Sequence, residues 1–180
     1  MAFSKIIAES MDLSDTYAFT GTVTGAGESN TPHFLVKKTS SQTINDNSTT
    51  KVTWDSEIID SDSAFASDKF TVPSGKAGKY FFQAQVMDYD AAAQLQARTI
   101  HIYKNGSSIA NSIFQPEHDH GGTANSYMEY TVTSSISFTD NASASDYYEI
   151  YYYGNTRDSG SFVIRQNSNT TWFQGFLLTT

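Results

Sequence analysis

Cysteine is absent from the 180 residues, which excludes disulfides and thiolate metal sites and is unusual for a small secreted eukaryotic domain. Basic residues are scarce: 11 Lys and Arg stand against 19 Asp and Glu, a formal net charge of −8. Nucleic-acid binding needs basic patches over phosphate, so no nucleic-acid partner is expected. No stretch reaches the roughly 18 consecutive apolar residues of a membrane-crossing helix, so no membrane insertion is expected. The opening Met-Ala-Phe-Ser-Lys-Ile-Ile-Ala-Glu-Ser has no long apolar core of a secretory signal. The N-x-S/T triplets at Asn47, Asn105, Asn141 and Asn169 are accordingly read as chance products of a Ser/Thr/Asn-rich chain. A G-x-S-x-G elbow, a P-loop and an H-E-x-x-H pair are all missing. Ser, His and Asp occur, but no local arrangement singles out a nucleophile and its base, so an enzyme is not expected.

Aromatics, at 14%, and uncharged polar residues are plentiful, the composition of a β protein with polar outer faces. The stretch from Phe70 to Val86 reads as strand, turn, strand. Pro73 and the Gly75–Gly78 segment reverse the chain. Tyr80, Phe82, Ala84 and Val86 then share one face, against Phe81, Gln83 and Gln85 on the other. Further strands are expected at Phe34–Lys38, Lys51–Ile59, Gln94–Tyr103, Ser108–Gln115, Tyr127–Phe138, Tyr147–Tyr153, Ser161–Arg165 and Trp172–Leu178, with Gln42–Thr50 a polar loop and Asp140–Asp146 a turn. Lys104-Asn105-Gly106 supplies the Asn-Gly pair of a tight hairpin. Within Tyr147–Tyr153, Tyr148, Ile150 and Tyr152 fall on one face and Tyr147, Tyr151 and Tyr153 on the other. One face can fill a sandwich, while the other is an exposed aromatic patch unless a neighbour or a cross-strand ladder covers it. Regular short strands imply an all-β antiparallel sandwich or jelly roll over residues 34–180.

Residues 1–33 differ. Phe3, Ile6, Ile7, Leu13, Tyr17 and Phe19 are spaced apolar residues in a stretch ending in the flexible Gly25-Ala-Gly-Glu-Ser-Asn-Thr-Pro. This reads as an N-terminal arm that docks on another protein or packs as an edge strand on its own domain.

The spacing Trp54, Asp60, Phe65, Val72, Gly78, Tyr80, Phe82, followed by Lys104-Asn105-Gly106 and the closing Phe173-Gln174-Gly175-Phe176-Leu177-Leu178, resembles the C1q globular head of the tumour-necrosis-factor-like jelly-roll superfamily. Trp54 and Val72 stand where that family has phenylalanine, and Ala84 where it has an aromatic. The resemblance implies a C1q-like antiparallel jelly roll and a homotrimer, with Tyr147, Tyr148, Tyr151, Tyr152, Tyr153, Trp172 and Phe176 as candidate core or interface aromatics. Met-Ala-Phe-Ser-Lys-Ile-Ile and Ala18-Phe-Thr-Gly-Thr-Val are in turn similar to N-termini of structural proteins in tailed phages of marine bacteria. These resemblances imply a non-enzymatic virion structural protein, assembled in the bacterial cytoplasm and displayed on the virion surface. Its arm would bind other virion proteins, and the jelly roll would decorate the capsid or form a short fibre, its tip loops contacting host-surface glycan. The alternatives are a free, soluble C1q-like binding module and a metal-dependent jelly-roll enzyme.

No cofactor is expected, with one exception to test. His118 and His120, flanked by Glu117 and Asp119, have ligand types that suit Zn or another divalent metal; a solvated polar loop at a trimer tip is the simpler reading. Asp55, Glu57, Asp60, Asp62 and Asp68 carry oxygens that suit calcium, as some C1q-like proteins use, but lack EF-hand spacing and read as a solvated acidic loop.

Overall fold

The computed structural model describes residues 31–90, 95–114, 131–166 and 169–179. Thirteen strands and no helix occur among them: β1 (His33–Lys37), β2 (Gln42–Ile44), β3 (Ser48–Lys51), β4 (Ser56–Asp60), β5 (Phe65–Ala66), β6 (Lys69–Thr71), β7 (Gly78–Tyr89), β8 (Leu95–Lys104), β9 (Ser107–Phe114), β10 (Thr133–Ala142), β11 (Tyr147–Thr156), β12 (Phe162–Ile164) and β13 (Trp172–Thr179). All pairings are antiparallel. One sheet of seven strands runs β2-β12-β7-β13-β1-β4, with β10 on the other flank of β7; one of six runs β5-β6-β11-β8-β9, with β3 also on β11. The two sheets close face to face as a jelly-roll sandwich, the architecture expected from the strand spacing.

The stretch Phe70–Val86 is a crossing between sheets rather than a hairpin. β6 pairs with β5 and β11, whereas β7 pairs with β10 and β13. The reason lies in the side chains: Phe70, Tyr80 and Phe82 are all fully buried, and the Phe70 ring lies 5.7 Å from Tyr80 and 6.0 Å from Phe82 across the core. Strands whose apolar faces must meet belong in opposite layers. Two other expectations are corrected. Gln42–Thr50 contains β2 and β3 rather than a loop, and Lys51–Ile59 is broken at Val52–Asp55 between β3 in one sheet and β4 in the other. Val52 is fully buried, and this segment carries the chain over the sandwich edge. β10 runs on to Ala142, so the following turn is shorter than Asp140–Asp146.

The core is an aromatic layer. Phe34 stacks on Phe70 at 4.7 Å and meets Phe173 edge-on at 4.8 Å, and Phe82 lies 4.1 Å from Tyr148. Gly175 on β13 points inward, where a β-carbon would sit 2.6 Å from the Phe82 ring and 2.7 Å from the Phe34 ring. Only glycine lets these rings close over the sheet. Gly175→Ala is expected to destabilise the fold by about 1–3 kcal/mol through overpacking, read as a lower urea midpoint at unchanged slope.

The inner face of β7 continues past Val86 into a charge. Asp88 is fully buried, and so is Arg98 on β8. The Arg98 Nε–H donates to Asp88 Oδ2 at 2.6 Å. The Tyr152 hydroxyl of β11 donates to the same oxygen at 2.6 Å and lies 3.2 Å from the Ser134 hydroxyl of β10. The Val132 N–H reaches Asp88 Oδ1 at 3.3 Å. One carboxylate thus ties β7, β8, β10 and β11 together. Burial pushes the Asp88 carboxyl up, opposed by the Arg98 guanidinium and the Tyr152 hydroxyl, and burial likewise raises Tyr152 well above a free tyrosine. Removing one partner strands the other charge, so Arg98→Met is expected to cost about 3–5 kcal/mol. The double change Arg98→Met with Asp88→Leu is expected to recover most of that loss in chemical denaturation.

Candidate functional site

The residues that carry the family spacing build the scaffold. Asp60 closes the loop before β5, accepting the Ala64 and Phe65 N–H groups at 2.9 Å each. The Trp54 main-chain N–H donates to Asp68 Oδ1 at 2.7 Å, and its ring lies 6.1 Å from Phe173. Phe65 stacks on Phe34 at 5.2 Å. Tyr80 is buried, its hydroxyl donating to the Lys76 carbonyl at 2.7 Å.

Lys104-Asn105-Gly106 forms the expected tight turn between β8 and β9, with φ of 52° at Asn105 and 80° at Gly106. The Lys104 ammonium reaches Asp140 at 2.7 Å and Asp146 at 3.0 Å. Tyr148 donates to the same Asp140 oxygen at 2.7 Å. Asn105 donates to Asp146 at 2.8 Å and accepts from the Tyr147 N–H at 3.0 Å. The motif therefore locks one hairpin to the β10–β11 turn.

The two outward sheet faces differ in chemistry. On the seven-stranded sheet, side chains paired in register share a face. One outward row is His33, Phe176, Phe81 and Thr139. The next is Ile59, Leu35, Gln174, Gln83 and Ser137, and a third is Lys37, Trp172, Gln85 and Ser135. Phe81 and Phe176 touch, ring centroids 5.4 Å apart, and Gln174 donates to Gln83 at 3.0 Å. None of these side chains is acidic, although the chain carries −8.

The six-stranded sheet shows a tyrosine ladder instead. Tyr103 and Tyr151 stack at 4.0 Å. The Lys69 ammonium sits 4.6 Å over the Tyr147 ring, and Tyr153 donates to Asn47 at 2.8 Å. Lys51 pairs with Glu149 at 2.9 Å. Burial lowers His101 from its usual value and raises Tyr151, with Glu149 adding to the latter, so at neutral pH the imidazole and phenol are uncharged. These aromatics are satisfied by their own chain.

The seven candidate aromatics accordingly fall in three places. Tyr148 and Tyr152 are core residues, Tyr147, Tyr151 and Tyr153 form the ladder, and Trp172 and Phe176 lie on the opposite, acid-free face. His118, Asp119 and His120 lie outside the described residues, as do the arm residues Phe3, Ile6, Ile7, Leu13, Tyr17 and Phe19. Among the described residues no group of three or more His, Asp or Glu side chains could hold a metal ion, and this includes the acidic stretch Asp55–Asp68. Sequence reasoning missed the acid-free face because its members come from five strands and only register unites them.

Antiparallel sandwich, inward aromatic layer and locked Lys-Asn-Gly turn together define a C1q-like jelly roll. Among solved structures the chain is similar to the globular domain of the zebrafish complement 1qA protein, with a TM-score of 0.55 and 13% sequence identity over 83% of this chain and 98% of that one. No known family and no characterised protein matches it by sequence.

Hydrogen bonds from Lys104, Tyr148, Asn105 and the backbone hold Asp140 and Asp146 below the usual carboxylate range, outweighing the opposite effect of their burial. A depressed carboxyl stabilises the fold above its unfolded value, near pH 3.9, and loses that contribution as pH falls through the folded value. Lys104→Met is expected to cost about 1–2 kcal/mol at pH 7. The difference from wild type should shrink between pH 4 and pH 2, measured by thermal melts across that range.

Proposed function

We propose that the chain is a non-enzymatic structural module that assembles as a homotrimer through the acid-free outward face of its seven-stranded sheet. In this reading it is displayed on a tailed-phage virion, held there by residues 1–33. The observation that carries the trimer is the chemistry of that face. Phe81, Trp172, Phe176, Leu35 and Ile59 lie in rows without a carboxylate, Lys37 beside Trp172 being the cation among them, so copies meeting there bury apolar surface without repulsion between carboxylates. The likeness to a C1q globular domain supports the jelly-roll fold that presents this face. The particle role draws its support from the resemblance of the N-terminal segment to phage structural proteins. Contact with host-surface glycan falls to tip loops rich in Tyr, Asn and Asp, side chains that suit polar ligands.

Light scattering on purified protein is expected to give three times the 19.8 kDa chain mass, and Phe176→Glu to give folded monomer. A monomeric wild type, or a trimer that survives Phe176→Glu, sinks the interface. Deleting residues 1–33 is expected to leave the trimer intact and abolish its association with particles; truncated protein that still co-sediments with them ends the docking idea.

A further inference from the structure

A groove opens where the two sheets part, between their edge strands β4 and β5. It has a volume of about 370 Å³. Its apolar surface comes from Val36, Trp54 and Phe65, and its acidic side chains are Asp55, Glu57 and Asp68. The Trp54 indole N–H is shielded from solvent and has no acceptor among the described residues. Asp55 is a permanent anion: burial pushes it up, but hydrogen bonds from the Thr39 and Ser40 hydroxyls and N–H groups outweigh that and hold it at about 2. β4 itself pairs only with β1 among the described strands, and it exposes Ile58 and Ile59, at 53% and 39%. Glu57, Asp60 and a bulge opposite Leu35 and Val36 limit pairing of β4 with its own kind, but it holds no lysine or proline, so its outer edge is open to a strand of opposite charge.

We infer that this corner docks an extended, lysine- or arginine-bearing peptide segment of another protein, which adds to the free edge of β4. Main-chain hydrogen bonds to β4 would supply affinity, and alternate side chains would supply specificity. Outward apolar residues of the segment would cover Ile58 and Ile59. Inward basic residues would meet Glu57 first, since Asp55 and Asp68 already act on the buried Lys38 ammonium, over an indole face that favours cations. A main-chain carbonyl of the segment would give the Trp54 N–H its acceptor.

Charge selects the occupant. The chain's own first 33 residues hold a single lysine, Lys5, against Glu9, Asp12, Asp15 and Glu28, so the arm of this or a second copy is repelled. The partner is therefore a different, basic chain. The inference stands apart from the particle role; with the outward face that the trimer uses it shares only Ile59, at the edge of the seven-stranded sheet.

The test uses full-length protein and labelled decapeptides followed by fluorescence anisotropy. A peptide of alternating Lys and Val is expected to bind saturably, and its Glu-Val counterpart not to bind. Glu57→Lys, on an exposed side chain, is expected to weaken binding at least about tenfold with an unchanged melting temperature. A Lys-Val peptide with prolines at two central positions, unable to continue a ladder, is expected to lose binding to a similar degree. Absence of saturable Lys-Val binding overturns the proposal, as does indifference to Glu57→Lys. Equal binding of the proline peptide, or full competition by spermine, would replace the strand-adding segment with a simple polycation.

Discussion

A missing side chain organises this sandwich. At position 175 the Phe34 and Phe82 rings fill the space that a β-carbon would need. Their close approach brings β1, β7 and β13 into one tight sheet centre, over which Phe70, Phe173 and Tyr148 pack. Once that layer is closed, the alternation of each strand decides what faces out. The inward set is uniform and aromatic, so the outward sets are free to differ between the sheets.

They differ in a way that divides labour. The six-stranded sheet satisfies its own tyrosines by stacking, a cation over a ring and a compensated Lys51–Glu149 pair. The seven-stranded sheet leaves Phe81, Trp172 and Phe176 among glutamines and serines, with no anion in their rows. The acidity of the chain is displaced to loops and edges, which leaves one face suited to self-contact and one corner suited to a basic partner.

Charged groups are nevertheless built into the interior. Lys38 is 1% exposed, its ammonium donating to the Thr53 carbonyl at 2.8 Å and hydroxyl at 3.0 Å; burial lowers its pKa against the pull of Asp55 and Asp68. With Asp88–Arg98 and the Lys104 cluster, these pairings pin strand ends where apolar packing thins. Such groups add little net stability when satisfied, yet penalise any register that separates the partners. A sheet face alone specifies register only by period two; the ion pairs make it single.

Much was legible in local pattern. The alternation of β7, the two faces of β11, the Asn-Gly turn and the Gly175-containing last strand all follow from period-two side-chain placement and from backbone chemistry at single residues. These depend on neighbours along the chain, which the amino-acid sequence alone specifies. It could not show that Phe70 and Tyr80 lie in opposite sheets, that Gln42–Thr50 pairs, or that an arginine and an aspartate with polar neighbours meet inside the core. Nor could it show that Phe81, Trp172, Leu35 and Ile59 form one acid-free face, or that Trp54 and Glu57 share a groove. Most of those depend on register between segments up to about 140 residues apart, as Leu35 and Gln174 are, and register is set by the closing of the whole aromatic core.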